Sequence, residues 1–195
     1  MVSLLCAVFS AIQVAISTHL VIYLVEVKSF SPIKAGTYLL LLNVAGTIGR
    51  IAWGVISDRA FKGQRRPVLM VVGVIIALLA VIIAVSGDTM MDWLLYVLIF
   101  FLGFTANGWA GVYFAAASEM SCDRLVASGI GWSLTITTLG AMAGPLVFGR
   151  LVDTTSSYDT AWMIFGAVSA ASILLLLPIR ERSFIGDGSS KAGIP

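Results

Sequence analysis

The sequence predicts an all-α membrane protein of six transmembrane helices, arranged as two inverted three-helix repeats, and three observations predict it. Of the 195 residues, 59% are hydrophobic and only 11% charged, with a mean hydropathy of +1.00. A water-soluble domain of this length cannot hide that much apolar side chain. Six apolar stretches are each long enough to cross ~30 Å of hydrocarbon at ~1.5 Å per residue. Finally, Gly49, Gly54 and Asp58 return with the same spacing as Gly144, Gly149 and Asp153.

The spans are expected near residues 3–26, 32–57, 68–86, 92–118, 126–152 and 160–179. The first has no basic region ahead of it and further spans follow, so it reads as a retained helix rather than a cleaved leader. Breakers separate the spans: Ser31-Pro32, Lys62-Gly63, Arg66-Pro67, Ser86-Gly87-Asp88 and the stretch from Asp153 to Asp159. Pro32 and Pro67 stand where helices accept proline, in the first turn. The repeats divide near residues 1–87 and 88–182, leaving 183–195 as a polar, glycine-rich, disordered cytoplasmic tail.

Basic residues set the orientation. With a cytoplasmic amino terminus the inside holds Arg59, Lys62, Arg65, Arg66, Arg124, Arg180, Arg182 and Lys191, and the outside only Lys28, Lys34 and Arg150. Eight against three satisfies the positive-inside rule and puts both termini in the cytoplasm. An inner (plasma) membrane of a bacterium is the expected location.

The spans differ in polarity. The third, from Val68 to Val85, carries no polar side chain, and the sixth only small hydroxyls such as Ser169 and Ser172. The other four carry the amides, Arg50 and His19. Polar groups inside a bilayer belong against protein or a wet cavity, so the third helix of each triplet is expected at the lipid-facing periphery. Three helices per repeat reverse the orientation, as an inverted-topology repeat requires.

Several function classes fail. The net charge is +2 with no long basic run, which argues against nucleic acid. Cys6 and Cys122 form no C-x-x-C pair. A single histidine excludes two-histidine metal sites, Gly131-Trp132-Ser133 is a poor serine-nucleophile motif, and no Walker sequence is present. The expectation is a non-enzyme without cofactor or metal.

Residues 49–67 read GRIAWGVISDRAFKGQRRP. This resembles the cytoplasmic-loop motif of the major facilitator superfamily: a glycine, then Asp-Arg, then a glycine and a basic cluster. Gly54, Asp58, Arg59, Gly63, Arg65 and Arg66 fit, although Ala60-Phe61-Lys62 lengthens the spacer before Gly63. Tyr23-Leu24 ahead of Ser31-Pro32 and Ala35-Gly36, and Gly144-Pro145 with Gly149 and Asp153, are similar to that superfamily's second half. The resemblance implies a twelve-helix transporter with its site between two six-helix halves, of which this chain is the C-terminal one. The remaining half would be a missing N-terminal portion or a dimer mate. In the motif, Asp58 is expected to pair with Arg59, Arg66 or a partner's helix end. Glu119 and Arg124 could complete a gating network with Arg59. The alternative is that these are topogenic charges solvated at the interface.

Cavity candidates come from polar residues within the spans. Arg50 stands eight residues from Asp58, ~12 Å along the axis, on a stripe with Gly36, Asn43, Thr47 and Gly54. It is either a counter-charge for an anionic solute, or it snorkels to headgroups or pairs with Glu119 or Asp58. His19 is either a protonation switch or a hydrogen-bonded packing residue. Gln13 adds an amide to the first span. Asn107 with Trp109 and Tyr113 supplies groups that grip small ligands, unless Trp109 only packs. Ser133 and Thr137 share a face with Gly140 and Gly144, a cavity wall or a packing seam, and Pro145 is expected to kink that helix. The expected partners are the bilayer, a small solute and a second six-helix half. The expected function is secondary active transport, by symport or antiport, of an organic anion or neutral metabolite. The alternative is an inactive remnant or a membrane interaction protein.

Overall fold

The computed structural model describes residues 2–86, 90–120 and 126–176. Among the described residues seven α-helices follow one another: α1 (Val2–Glu26), α2 (Pro32–Arg59), α3 (Arg65–Ser86), α4 (Asp92–Ala106), α5 (Trp109–Met120), α6 (Val126–Thr155) and α7 (Tyr158–Ser172). A 3₁₀ turn, Ile173–Leu176, extends α7. They make six spans long and apolar enough to cross a membrane, because α4 and α5 share one. The repeat boundary expected at residues 87/88 and the tail expected at 183–195 lie outside the described residues.

Local chemistry starts and stops the helices where the breakers stand. Ser31 caps α2, its hydroxyl accepting the Lys34 N–H at 3.3 Å, with Pro32 at the first helical position. Ser157 does the same for α7 through the Thr160 N–H at 3.3 Å. Between α2 and α3 the chain reverses through Lys62 (φ 51°) and Gly63 (φ 77°), left-handed backbone that glycine adopts without penalty.

The helices pack in three pairs: α1 on α6, α2 on α4, and α3 on α7. The first helix of each triplet thus lies against the second helix of the other, and the third lies on the third. That is the pairing an inverted repeat produces. Its contact points repeat as well. A methyl group at Gly49 would overlap the Phe104 carbonyl of α4, and one at Gly144 would overlap the Ala11 carbonyl of α1. Both positions need a residue without a Cβ so that two backbones can meet. The α3–α7 pair is joined by the buried Ser169 hydroxyl, which donates to the Gly73 carbonyl at 3.0 Å.

Two observations differ from expectation. The fourth span is not one helix over 92–118 but breaks at Asn107-Gly108. Asn107 closes α4 as its C-cap (φ −98°, ψ −16°), and both residues favour helix ends over interiors. Two of the polar helices, α2 and α6, are also not inner ones of this chain, although the polar α4–α5 span is the most buried at 61%. Half of α3's most apolar window (50%) lies inside the bundle, against 28% for α2 and 17% for α6. Pairing with α7 hides α3, whereas α2 and α6 turn long faces outward. Helix α6 runs through Pro145 without interruption.

Aromatic contacts close the end of the bundle that holds the 27–31 loop. Tyr23 packs edge-on to Tyr158 and Trp162, and Phe148 to Trp162 and Phe165. The Tyr158 hydroxyl donates to Glu26 at 2.7 Å. Lys34 pairs with Asp92 at 2.5 Å and lies 3.7 Å from the Phe30 ring centre.

Candidate functional site

The break between α4 and α5 gathers four of the cavity candidates. A helix that ends leaves its last carbonyls without intrahelical donors, and inside a membrane no water is at hand to satisfy them. Helix α2 supplies donors. Arg50 Nε donates to the Asn107 carbonyl at 3.2 Å, and Trp53 Nε1 donates to the Phe104 carbonyl at 3.2 Å. Trp53 is buried, and its ring rests where a Cβ on Gly108 would come within 2.8 Å of it. Residues 50 and 53 are one turn apart on the same helix face.

Past the break, Trp109 is buried and its indole N–H donates to Gln13 Oε1 of α1 at 3.0 Å. An indole only donates, so the Gln13 carbonyl must face it, and the Gln13 amino group is turned away with two protons to give. Asn107 is buried against Gly46, and its Oδ1 meets no hydrogen-bond partner among the described residues. Arg50 itself is exposed, leaving its terminal guanidinium nitrogens beyond this contact. It caps a helix break and does not pair with Asp58, which is taken by another arginine; the Glu119 side chain, the other partner weighed from the sequence, lies outside the described residues.

The other candidates spread along the bundle. Asn43 and Thr47 are exposed on α2, where Asn43 Nδ2 donates to the Leu39 carbonyl at 2.8 Å and Thr47 Oγ1 to the Asn43 carbonyl at 3.0 Å. Ser133 of α6 meets Ser3 of α1 at 3.1 Å. The buried Tyr113 hydroxyl lies beside that pair without a hydrogen bond of normal geometry. Phe9, Trp109 and Tyr113 make an aromatic column next to it. Thr137 is buried and turns its hydroxyl back to its own helix, onto the Ser133 and Leu134 carbonyls at 3.0 and 2.9 Å.

His19 sits away from the break, between α1 and α6. Its ring stacks on Phe148 with centroids 4.8 Å apart, touches Gly149, and places Nε2 3.1 Å from the Pro145 carbonyl. A carbonyl only accepts, so Nε2 carries a proton here.

At the opposite end, Asp58 pairs with Arg65, not with Arg59 or Arg66, at 2.6 Å, and the same guanidinium nitrogen donates to Ser57 Oγ at 2.9 Å. The reversal at Lys62-Gly63 brings residue 65 back over residue 58. Arg59 is exposed and Arg66 half-buried. No described atom lies within 4 Å of a Cβ placed on Gly54 or Gly63. Arg124 and the Glu119 side chain lie outside what the structure describes.

Sequence reasoning missed Trp53. Its only signal was position, three residues after Arg50 and four after the close-contact Gly49.

Six apolar spans agree with comparison to known proteins. The sequence profile of the Major Facilitator Superfamily matches residues 1–121, more than half of the chain. The chain belongs to the major facilitator superfamily. An uncharacterized MFS-type transporter of Mycobacterium tuberculosis is 31% identical over 169 residues, covering 86% of this chain and 37% of that protein. A protein of Bacillus subtilis named a probable galactarate/D-glucarate transporter is 28% identical, over 80% of this chain and 34% of its own length. A probable hexose phosphate transport protein of Chlamydia pneumoniae is 26% identical, over 85% and 36%. The chain thus spans little more than a third of the length of these relatives. Major facilitator proteins are integral to membranes, and the six apolar spans fit that placement.

Proposed function

We propose that the chain is one six-helix half, the second, of a secondary active transporter that moves a small organic anion by alternating access. The observation that carries this is the outward face of α2. Asn43, Thr47 and Arg50 are exposed there, with Arg50 nine residues (~13 Å) inside the helix end. Hydrocarbon does not solvate a guanidinium at that depth, so the face belongs against a second protein body or a wet cavity between two bodies. The donors that converge on the break are of the kind an anion recruits: the outer guanidinium nitrogens of Arg50 and the amino group of Gln13. Among the described residues the acids Glu26, Asp58, Asp92, Asp153 and Asp159 all stand at helix ends, which leaves the span interiors without a counter-charge for a cation. Relatives named for acidic sugars and hexose phosphates support the same class. The Asp58–Arg65 pair, within the superfamily's loop motif, is the proposed gate element at the cytoplasmic edge, with both termini on that side.

The test is uptake into proteoliposomes of a panel of aldarates and hexose phosphates. The chain alone should give no flux, and a supplied first six-helix half should restore it. In the restored transporter Arg50→Ala should weaken apparent affinity at least ~10-fold, the scale of one lost charge-assisted contact. Absence of flux in both preparations, or affinity indifferent to Arg50, counts against the reading.

A further inference from the structure

We propose that a cleft between α1, α6 and α7 is a site for one acyl chain of a bilayer lipid.

The cleft follows from how the helix pairs are held. Helix α6 is drawn onto α1, because Gly140 and Gly144 let its backbone meet the Ala7 and Ala11 carbonyls. Helix α7 is drawn onto α3 instead, through the Ser169–Gly73 hydrogen bond and the close approach of Gly166 to the Ala77 carbonyl. Each helix is committed to its own partner, and a gap remains between α6 and α7. Ala11, Ala143 and Gly144 line it and are too small to fill it. The result is a trough of about 170 Å³ lined wholly by apolar groups. A cavity of about 150 Å³ with such walls admits benzene, so a stretch of hydrocarbon chain fits here.

Depth, opening and surroundings name the occupant. Val8 and Ile164, both lining residues, stand six residues inside the starts of α1 and α7. Those helices enter from opposite sides, so the cleft lies ~9 Å or more from either end, at the level of hydrocarbon. Val147 and Val168 on its walls are 52% and 43% exposed, so it opens sideways on the surface of the bundle. Met142 and Leu146, next to the lining residues of α6, are exposed and apolar, in contrast to the polar face of α2. Towards the far end of α1 the seam is shut, where Phe148 packs on Phe165 at 5.0 Å and on Trp162 at 5.7 Å. A chain therefore enters from the leaflet on the side where α1 begins, and ends below that aromatic cap.

Lipid chains are as apolar as the walls, so no hydrophobic gain drives the binding. What favours the cleft is dispersion, since a chain lying in a trough touches protein on several sides instead of one. About ten extra carbon contacts give roughly a 10-fold preference over the open helix surface. The headgroup plays no part, and the site is independent of any solute the protein carries.

The test is photolabelling in lipid nanodiscs with a phosphatidylcholine that carries a diazirine midway along one acyl chain, the labelled residues being located by mass spectrometry. Labelling at Val147, Ile164 and Val168 should exceed that at the exposed mid-span residues Val74 and Leu78 of α3 about 10-fold. The same probe with a phosphoglycerol headgroup should give the same pattern. Val168→Phe, which fills the cleft, should bring labelling at Val147 and Ile164 down to the level of the α3 surface. Unchanged labelling at Val74 and Leu78 shows that the variant has inserted. If Val168→Phe does not insert, Ala143→Leu fills the same space from α6. Equal labelling of the cleft and the α3 surface would overturn the proposal, because the contact would then be ordinary boundary lipid. So would an excess that survives filling of the cleft, or one that follows the headgroup. An excess lost once a first six-helix half is supplied would assign the cleft to protein and overturn it as well.

Discussion

Gly49, Gly54 and Gly144 offer a sharp test of the packing. Changing each to alanine adds the same methyl group to the same kind of helix. At Gly49 and Gly144 the methyl would meet the carbonyl of a packed backbone, Phe104 and Ala11 respectively, and neither backbone can swing aside as a side chain would. The helices must part by ~1 Å, and a gap of that size forfeits a quarter to a half of each dispersion contact along the pair. Overpacking of this kind costs ~1–3 kcal/mol. At Gly54 no described atom lies within 4 Å, so only the gain in helix propensity remains, about 0.8–1 kcal/mol. The assay is thermal unfolding of the chain in detergent micelles, followed by tryptophan fluorescence. At roughly 2–4 °C per kcal/mol for a chain of this size, Gly49→Ala and Gly144→Ala should each lower the midpoint by on the order of 5 °C. Gly54→Ala should leave it level or raise it slightly. A loss at Gly54 as large as at Gly49 would refute the reasoning. So would no loss at Gly144, since the two close contacts would then not be equivalent.

Three further outcomes are expected. Gln13→Leu strands the buried Trp109 N–H and should cost ~1–3 kcal/mol, while adding Trp109→Phe should recover most of it; a double-mutant cycle in the same unfolding assay checks the coupling. Ser169→Ala removes the interhelical bond to the Gly73 carbonyl and should cost only ~0.6 kcal/mol, the usual scale inside membranes, so a loss several times larger contradicts it. Asp58→Asn breaks a pair whose carboxylate side is 62% exposed and should shift stability by less than ~1 kcal/mol. A clear fall in flux beside that small change would separate a gating pair from a merely solvated one.

Much of the architecture was legible because its determinants are local or periodic. Each apolar run is a span, and Ser31-Pro32, Lys62-Gly63 and Ser157 mark the ends through capping and turn chemistry. The repeat was visible in Gly49 and Gly144, whose shared role is to admit a backbone carbonyl. Gly54 shows the limit of that pattern. It shares the spacing, yet no described atom lies within 4 Å of a Cβ placed there. The break at Asn107 had one local signal, the Asn-Gly pair, which was outweighed because apolar residues on both sides read as one continuous span. It depends on donors from Trp53 and Arg50, which are more than fifty residues away in sequence. For the same reason Arg50 could be weighed as counter-charge or snorkelling group but not as a cap on a helix end. The partner of Asp58 turned on the geometry of one reversal, which favours residue 65 over residues 59 and 66. The polarity of α2 was read as an inner property, but within this chain it lies on an outer face, and the pairing of α3 with α7 decides that.

The central claim is that the polar face of α2 looks onto protein or water rather than lipid. Nitroxide labels at Thr47→Cys on that face and at Leu78→Cys on the outer face of α3, in reconstituted membranes, test it most directly. Collision rates with oxygen, which concentrates in hydrocarbon, are compared with those of a water-soluble nickel complex. The account predicts high oxygen and low nickel accessibility at 78, and at 47 low oxygen accessibility, with nickel reaching the label if the cavity is open. Oxygen accessibility at 47 as high as at 78 would place Asn43, Thr47 and Arg50 in lipid and contradict the account.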